Sequence, residues 1–341
     1  SGLADAFVIR MNAAGTAPLY QTYLGGSQAD EAMGVSLAAG NVAFVTGRTS
    51  SGDFPIHATG SGTTDGGVNV FVSKFNNAGA LIGSTTYGGT TNGDDIGRRV
   101  STGPGGEAFV VGETESPNFL PVGATSFQTT HAGGFDGLIM RVDASCNFVN
   151  GSYYGGAGHD LVLDVDYDGV SSIHITGTST STDLLVTTPA TFPASTPFQA
   201  TAPGNRTAYL ARIDQSILNL EYQSYYGGDS WSQGHCIKHA SPDRVYIGGM
   251  TLNYSGPNEL QTTPGTLHPT RIGGTWDGFI ACFDTYNSAN PLVAGTFFGG
   301  SGAFELGLSW DFDGGVSGSG GTFGAGGSAP PFGSESGSAA A

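Results

Sequence analysis

The chain has 341 residues, with 58 Gly, 20 Phe and 13 Tyr, and its 28 acidic and 11 basic residues give a formal net charge of −17. This charge argues against binding to nucleic acid or anionic lipid, because both need a basic surface, and no stretch approaches the roughly 20 apolar residues of a membrane-spanning helix. An apolar fraction of 38% with abundant Gly, Ser, Thr and Asn predicts a soluble, nearly all-β protein.

Five aromatic Gly-Gly segments recur along the chain at intervals of 63 to 72 residues. They occupy residues 23–26, 87–89, 154–156, 226–228 and 298–300. A fixed period of this length in a Gly-rich, β-rich sequence predicts the blades of a β-propeller.

Each repeat predicts four strands, because large residues alternate along four successive segments. First strands follow the Gly-Gly segments, at 32–38, 97–102, 161–166, 236–239 and 306–312. Second strands end in a Gly-x-Thr-like signature, at 42–49, 108–114, 173–179 and 245–251. Third strands follow at 5–12, 70–76, 136–143, 208–214 and 277–284, and fourth strands run into the next Gly-Gly. The second and third strands are joined by long polar connections that should all emerge on one face, and connections of such length are usually functional.

The chain starts at a third strand and ends with a first strand at 305–312 and a degenerate second strand at 323–328. We therefore predict a five-bladed β-propeller of four-stranded antiparallel blades, one of them a composite closed by N- and C-terminal strands. Such closure removes exposed sheet edges. The propeller would span residues 1–313, with repeats beginning near residues 5, 70, 136, 208 and 277. Residues 314–341 form a Gly/Ser-rich tail that supplies one closing strand or serves as a flexible linker.

The elements DAFV, Tyr-x-Gly-Gly, Gly-x-Thr and Phe-Pro occur in the same order in successive units. In this respect the chain, from Ala4 to about Phe312, resembles the bacterial beta-propeller repeat family of the SBBP type. The resemblance implies a large secreted or cell-surface bacterial protein, in which such repeats often stand beside adhesion-type domains, and a family without an assigned catalytic activity.

Two sets of charged residues recur once per repeat. The cations share one register of the third strand, where the fifth repeat has Cys282: Arg10, Lys74, Arg141 and Arg212. The acids follow the Gly-Gly segments, where Gln233 replaces the acid of the fourth repeat: Asp30, Asp95, Asp160 and Glu305. We expect both sets to serve the blades, with the carboxylates either capping the turn into the first strand or pairing with the cations. Calcium binding by the carboxylates is the alternative, although one carboxylate per turn supplies few ligands.

The remaining candidates for chemistry do not predict an enzyme. Paired carboxylates of the kind that glycosidases use occur at Asp94 and Asp95 and in the run of Asp164, Asp166 and Asp168, but adjacent carboxylates in a turn are usually solvated. His235 and His239 are predicted to share a strand face beside Cys236, without a third metal ligand. Three cysteines without C-x-x-C spacing predict buried free thiols. No catalytic residue and no cofactor is therefore predicted.

Three tryptophans lie near blade junctions and are candidate contacts for a glycan or a protein partner: Trp231, Trp276 and Trp310. Core packing is the competing interpretation of each. The sequence favours a non-enzymatic, extracellular or bacterial cell-surface module for scaffolding, adhesion or assembly through the long loops. A carbohydrate-binding propeller is the alternative, and a glycoside hydrolase or a fibre subunit that exchanges terminal strands is less favoured.

Overall fold

In a computed structural model of the chain, the structure describes residues 2–57, 67–89, 93–121, 124–184, 196–240, 244–252, 259–286 and 290–299. These residues form eighteen strands and one three-residue helical turn, Pro104–Gly106. Within these ranges no helix is long and apolar enough to cross a membrane. The strands are β1 (Ala6–Met11), β2 (Pro18–Leu24), β3 (Asp30–Ala38), β4 (Val42–Thr49), β5 (Asn69–Phe75), β6 (Leu81–Tyr87), β7 (Asp95–Thr102), β8 (Ala108–Thr114), β9 (Asp136–Val142), β10 (Phe148–Tyr154), β11 (Asp160–Tyr167), β12 (Ser172–Ser179), β13 (Thr207–Asp214), β14 (Leu220–Tyr226), β15 (Ser232–Ala240), β16 (Arg244–Leu252), β17 (Trp276–Asp284) and β18 (Leu292–Phe298).

The strands form five antiparallel sheets in chain order. β1 and β2 make a two-stranded sheet, which we call the half-sheet. β3–β6, β7–β10, β11–β14 and β15–β18 make four-stranded sheets, called sheets 1 to 4. The predicted all-β fold of four-stranded antiparallel units is therefore confirmed, and it is propeller-like. The predicted closing strands, at 305–312 and 323–328, and the tail lie outside the described residues.

In sheets 1 to 3 the third and fourth strands are joined by a short hairpin, and the first side chain of the hairpin accepts bonds from backbone N–H groups within the turn. In sheets 1 to 3 these first residues are Asn76, Asp143 and Asp214. Each turn also needs a residue in the left-handed region, with φ of 83° at Gly79, 65° at Cys146 and 62° at Ile217. Cys146 therefore occupies a turn position that glycine holds in sheet 1. It is buried and free, as are Cys236 and Cys282, which confirms the prediction for the three thiols.

The apolar core lies between successive sheets, because both faces of each sheet carry large apolar side chains. Between the half-sheet and sheet 1 the core includes Ala6, Val8, Val45 and Phe71. The same arrangement recurs at the next three interfaces. The core includes Phe44, Val72, Val100 and Met140 between sheets 1 and 2, Phe109, Ile139, Val165 and Tyr209 between sheets 2 and 3, and Leu210, Tyr222, Ile237 and Phe279 between sheets 3 and 4. Burial of each such side chain contributes roughly 1.5–3 kcal/mol, so stacking of sheets is the main source of stability.

The first strands of successive sheets also contact each other and are linked by one repeated hydrogen bond. The Ser36 hydroxyl oxygen of β3 accepts from the backbone N–H of Thr102 at 3.2 Å. The Ser101 hydroxyl oxygen of β7 accepts in the same way from Tyr167 at 3.1 Å. In β11 the equivalent position is an acid, Asp166, whose carboxylate accepts from the N–H of His239 at 2.7 Å. Each first strand therefore sets the register of the next one.

The repeated cations link successive sheets near the carboxyl end of the third strand. Lys74 Nζ donates to the carbonyl oxygen of Ala144 at 2.7 Å, in the hairpin of the following sheet. Arg10, Arg141 and Arg212 reach the equivalent hairpins and donate to the carbonyl oxygens of Asn77, Gln215 and Thr285. The expectation that these cations serve the blades fits this geometry, whereas their predicted pairing with the acids of the Gly-Gly turns does not. We call these bonds the cation latches.

The latch at Arg212 is the most deeply buried of the four. Its side chain is 1% exposed, and its Nε lies 2.9 Å from Oε2 of Glu221, which is 4% exposed. Glu221 also accepts from the Ser172 hydroxyl at 2.9 Å, and the guanidinium lies 3.6 Å from the ring centre of Tyr286. Burial raises the pKa of the Glu221 carboxyl, and Arg212 opposes that shift. Removing one partner of such a pair leaves a buried charge without compensation.

Replacing the buried latch is expected to cost far more stability than replacing a half-exposed one. Arg212→Leu should lower the free energy of unfolding by about 3–5 kcal/mol, because Glu221 would remain buried without its cation. Arg141→Leu is the matched control and should cost about 1 kcal/mol or less, because its partner Glu107 is accessible to water. Urea unfolding followed by circular dichroism measures both values. Equal losses in the two variants would contradict this assignment.

Candidate functional site

The Gly-Gly turns lie where one sheet passes to the next, and three of the four predicted acids cap them. The carboxylate of Asp30 accepts from the backbone N–H of Gly26 at 2.7 Å and from the Ser51 hydroxyl at 2.8 Å. Asp95 and Asp160 accept from the equivalent glycine N–H and serine hydroxyl groups at 2.6–3.0 Å. Of the two roles predicted for these acids, the hydrogen bonds correspond to turn capping.

In the turn between sheets 2 and 3, both glycines are required by close approach. A Cβ atom on Gly155 would lie 2.5 Å from Oδ1 of Asp136 and 3.1 Å from Oδ2 of Asp160. A Cβ atom on the second glycine, Gly156, would lie 2.3 Å from Oδ1 of Asp183. No side chain fits at either place, because real Cβ contacts are essentially never this short. In this turn the first glycine therefore makes room for the buried Asp136 and Asp160, and the second makes room for the side chains of Ser181 and Asp183.

The structure corrects the predicted alignment of two repeats. In the register of the sheets, the residue equivalent to Asp30 in the fourth repeat is Ser232, which pairs with Thr251 as Asp30 pairs with Thr49, so Gln233 lies one position further along. The Ser232 and Thr251 hydroxyl oxygens are 3.0 Å apart, so a neutral pair replaces the charged cap. Likewise Leu24, and not Tyr23, is equivalent to the aromatic residue before the other glycines. Glu305 lies outside the described residues.

Two buried carboxylates face each other across Gly155. Asp136 and Asp160 are fully buried, and burial raises the pKa of both, with the charge of Asp160 adding to the shift of Asp136. The partners found for both carboxylates are N–H and O–H donors, which stabilise carboxylates without a metal ion. In the part of the chain that the structure describes, no group of three or more His, Cys, Asp or Glu residues could hold a metal ion.

The acidic run of β11 joins sheet 3 to sheet 4. Asp164 accepts from the backbone N–H of Ile237 at 2.7 Å, and Asp166 contacts Lys238 Nζ at 2.7 Å in addition to its bond from β15. Burial raises the pKa of Asp164 to about 7, and burial also raises that of Asp166. Asp168 instead caps the following turn through three backbone N–H groups. These carboxylates are therefore engaged in linking sheets and capping a turn.

The other predicted pairs are separated by the strand geometry. Asp95 is a buried cap, whereas Asp94 is half-buried and its backbone groups bond to Glu115. His235 occupies a bulge of β15, between Gly234 and Cys236, so the alternation that would place it on the face of His239 is interrupted there. His239 itself stacks on the buried His174, with ring centres 5.1 Å apart and an interplanar angle of 16°.

Two of the three candidate tryptophans meet at one place. The Trp231 and Trp276 rings have centres 5.8 Å apart and planes at 70°. The guanidinium of Arg206 lies 4.5 Å from the centre of the Trp231 ring. With the Gln233 amide oriented so that its oxygen faces these donors, that oxygen accepts from Trp231 Nε1 at 2.8 Å and from Arg206 at 3.3 Å. Trp231 remains 38% exposed, and Trp276 is half-buried.

The contact of Arg206 with Trp231 has an equivalent in the preceding junction, where the Phe135 and His159 rings have centres 5.9 Å apart. In each junction one residue precedes a third strand and the other precedes the first strand of the next sheet. We call Phe135, His159, Arg206, Trp231 and Trp276 the aromatic rim. It lies on the face where the second-to-third connections and the Gly-Gly turns leave the sheets, which we call the loop face. Trp310 lies outside the described residues.

The raised pKa of Asp164 predicts that Asp164→Asn becomes more stable than wild type as the pH rises. Because the folded-state value of about 7 exceeds the ordinary 3.8, the stability linked to this proton is present below pH 3.8 and lost as pH rises through 7. Asparagine keeps an oxygen for the Ile237 N–H and cannot ionise, so the variant should gain stability relative to wild type between pH 4.5 and pH 8. Urea unfolding at both pH values measures this. A similar gain in the control Asp168→Asn would contradict the assignment.

The capped turns predict that calcium does not contribute to stability. Thermal melting in the presence of EDTA should give the same midpoint as melting with excess calcium, because N–H and O–H donors bind at least one oxygen of each capping carboxylate. A midpoint lowered by several degrees in EDTA would show that a metal ion supports the fold.

No protein-family model matches the chain, and no curated protein matches it. Among solved structures, the chain is similar to a tryptophan-to-alanine mutant of the Synechocystis apocarotenoid oxygenase, with 11% identity, 87% of this chain and 69% of that chain covered, and a TM-score of 0.32. A chimera of that oxygenase with RPE65 is 12% identical over the same shares of the two chains, at a TM-score of 0.31. Scores of this size do not establish a common fold.

Proposed function

We propose that this chain is a non-enzymatic adhesion module, secreted or displayed on a bacterial surface, that binds a carbohydrate at its aromatic rim. In this proposal the sheets are blades of a five-bladed propeller of the SBBP type, and the half-sheet is one half of a composite blade. The observation that carries the proposal is the pair of indole rings, Trp231 and Trp276, held together on the loop face.

The tryptophan pair offers what a sugar ring requires. Sugars present apolar C–H faces that stack on aromatic rings, and hydroxyl groups that need nearby polar partners. Trp231 provides a half-exposed ring, and Arg206 and Gln233 provide polar groups beside it. The contacts of Trp231 with Arg206 and Gln233 hold its ring in place, so little side-chain freedom would be lost on binding.

The charge of the chain restricts the class of ligand. A net charge of −17 creates a negative potential that opposes the approach of anionic polysaccharides. We therefore propose a neutral glycan as the ligand. Arg206 does not alter this expectation, because its guanidinium is engaged with the Trp231 ring.

The absence of catalysis is part of the proposal and rests on the roles of the carboxylates. Glycoside hydrolysis needs two carboxyl groups that face the substrate. Asp164 and Asp166 accept bonds from sheet 4, and Asp136 and Asp160 are fully buried. A role in scaffolding through protein contacts is the second candidate, because loops on a rigid scaffold form a broad interaction surface.

Substitution of the rim tryptophans should weaken glycan binding without affecting the fold. Trp231→Ala and Trp276→Ala should each weaken binding to a neutral glycan by about tenfold or more, which corresponds to about 1.4 kcal/mol. Leu218→Ala is the control, because Leu218 is also apolar and 45% exposed but lies in the hairpin after β13, away from the loop face. A glycan array identifies the ligand, and titration calorimetry measures the affinities.

Saturable binding that both tryptophan variants retain would contradict the rim as the site. A wild-type chain that binds no glycan but binds a protein through the loop face would favour the scaffolding role instead.

A further inference from the structure

The charges of the cation latches are not all balanced in the same way. In sheet 2, Arg141 Nη2 lies 2.7 Å from Oε2 of Glu107. In sheet 3, Arg212 Nε lies 2.9 Å from Oε2 of Glu221. Lys74, the latch of sheet 1, is only 8% exposed, yet it forms no ion pair with a carboxylate of the described residues. Because a buried charge is costly without compensation, Lys74 differs from the other buried latch in a way that needs a physical reason.

The register of the sheets shows which side chains take the place of the two acids in sheet 1. Val42 is equivalent to Glu107, because each lies two residues before the residue that pairs with the cation. Ile82 is equivalent to Glu221, because each is the bulged residue of its fourth strand. Both positions that supply a counter-ion in the following sheets are therefore aliphatic here.

The groups that contact the ammonium of Lys74 are neutral. Nζ donates to the carbonyl oxygens of Ala144 at 2.7 Å and of Gly106 at 3.4 Å, and it lies 4.7 Å from the ring centre of Phe44. The carboxylate of Asp143, in the same hairpin as Ala144, accepts instead from backbone N–H groups of that turn. An ammonium group has three N–H donors, so one donor of Lys74 is left for a further acceptor.

A cavity of about 270 Å³ lies beside Lys74, between sheets 1 and 2. From sheet 1 it is lined by Lys74 and by the apolar side chains of Leu37, Ala38 and Val42. From sheet 2 it is lined by Thr102 and by the glycine-rich turn that follows β7. Leu37 is 60% exposed, so the cavity opens to solvent on that side. The cavity therefore connects the buried cation with solvent.

We propose that this cavity binds a small carboxylate that carries a short aliphatic chain. A carboxylate oxygen of the ligand accepts from Lys74 Nζ and supplies the counter-ion that Glu107 and Glu221 supply in the next two sheets. The aliphatic chain of the ligand packs against Leu37 and Val42, where burial of apolar surface adds to the attraction between the charges.

Charge, size and lining restrict the ligand to this class. One lysine balances one negative charge, and the net charge of −17 opposes the binding of phosphate and other dianions. Cavities for drug-sized ligands measure roughly 300–1,000 Å³, so a cavity of about 270 Å³ accepts only a molecule of a few carbon atoms. The aliphatic lining favours an apolar chain on that molecule, because a polar chain would lose its hydrogen bonds to water.

The cavity is separate from the aromatic rim. The rim residues stand at the starts of first and third strands, whereas Leu37 and Thr102 lie near the ends of the first strands β3 and β7. A strand of 8 residues, such as β7, spans about 25 Å, so the cavity lies at the opposite end of the sheets from the loop face. Binding of a carboxylate here goes beyond the proposed glycan site and does not depend on it.

A titration followed by nuclear magnetic resonance tests the proposal directly. The isotope-labelled full chain is titrated with butyrate, and the amide signals of Gly103, Gly105 and Gly106 are followed, because these glycines line the cavity. Butyrate should shift these signals in a saturable way. Butyramide has nearly the same shape but no charge, and it should bind at least tenfold more weakly.

Two variants identify Lys74 as the cation. Val42→Glu places a carboxylate at the position equivalent to Glu107, so it should pair with Lys74 and weaken butyrate binding at least tenfold. Val170→Glu is its control, because it adds the same charge to the equivalent exposed turn of sheet 3. Lys74→Met removes the charge and should weaken binding to the same extent.

Arg10→Met is the control for Lys74→Met, because it removes the latch of the half-sheet and should leave butyrate binding unchanged. If Lys74→Met does not fold, as judged by circular dichroism, the comparison of Val42→Glu with Val170→Glu still decides the outcome.

Three results would overturn the proposal. The first is a wild-type chain whose glycine signals do not shift in a saturable way, since the two carbonyl groups and the Phe44 ring would then suffice for Lys74. The second is equal binding of butyrate and butyramide, which would show that charge has no part in recognition. The third is butyrate binding that Val42→Glu retains in full. Glycan binding is not measured in this experiment, so each of these results leaves the rim proposal standing.

Discussion

The structure depends on the packing of sheet faces against one another. A four-stranded sheet in this chain has large apolar side chains on both faces, so neither face can be left to water without a large loss of stability. The cores between successive sheets, the bonds between first strands and the cation latches all act at the same interfaces. Each of sheets 1 to 3 is thereby stabilised mainly by its two neighbours, as in other repeat proteins.

The Gly-Gly turns are the second consequence of this packing. The chain must pass from the fourth strand of one sheet to the first strand of the next within a few residues, and the turn is enclosed by both. A buried carboxylate satisfies the backbone N–H groups of the turn, and the glycines provide the space for it. The fourth repeat shows that charge is not essential there, because Ser232 and Thr251 replace the acid with a pair of hydroxyl groups.

Much of this fold could be predicted from the sequence, because the signals were local. The second strands at 42–49 and 108–114 were predicted with the observed bounds, since a Gly-x-Thr signature and flanking turn residues mark them. First strands were predicted to start too late, because their acids resemble turn residues although they are the first residues of the strands. The prediction 236–239 was too short, because the bulge at His235 interrupts the alternation of β15.

The site was less predictable, because its contacts join residues that are distant in the sequence. Trp231 and Trp276 were recognised by residue type, but nothing local indicated that their rings meet or that Arg206 lies on one of them. One signal was present: four of the five rim residues directly precede the first residue of a first or third strand, and Trp276 is itself the first residue of β17. An alignment of repeats by register, with Ser232 in place of Gln233, would have revealed it.

The latch position of the last sheet has a mechanical consequence. In the earlier repeats a long cationic side chain spans the gap to the following hairpin, but here the position holds Cys282, whose thiol is too short to reach and carries no positive charge. In an array held together by neighbouring contacts, opening begins at the weakest boundary. Among the described sheets, sheet 4 therefore lacks the cationic link that each earlier sheet makes to the hairpin after it, so its outer side should resist mechanical separation less than the boundaries between the described sheets.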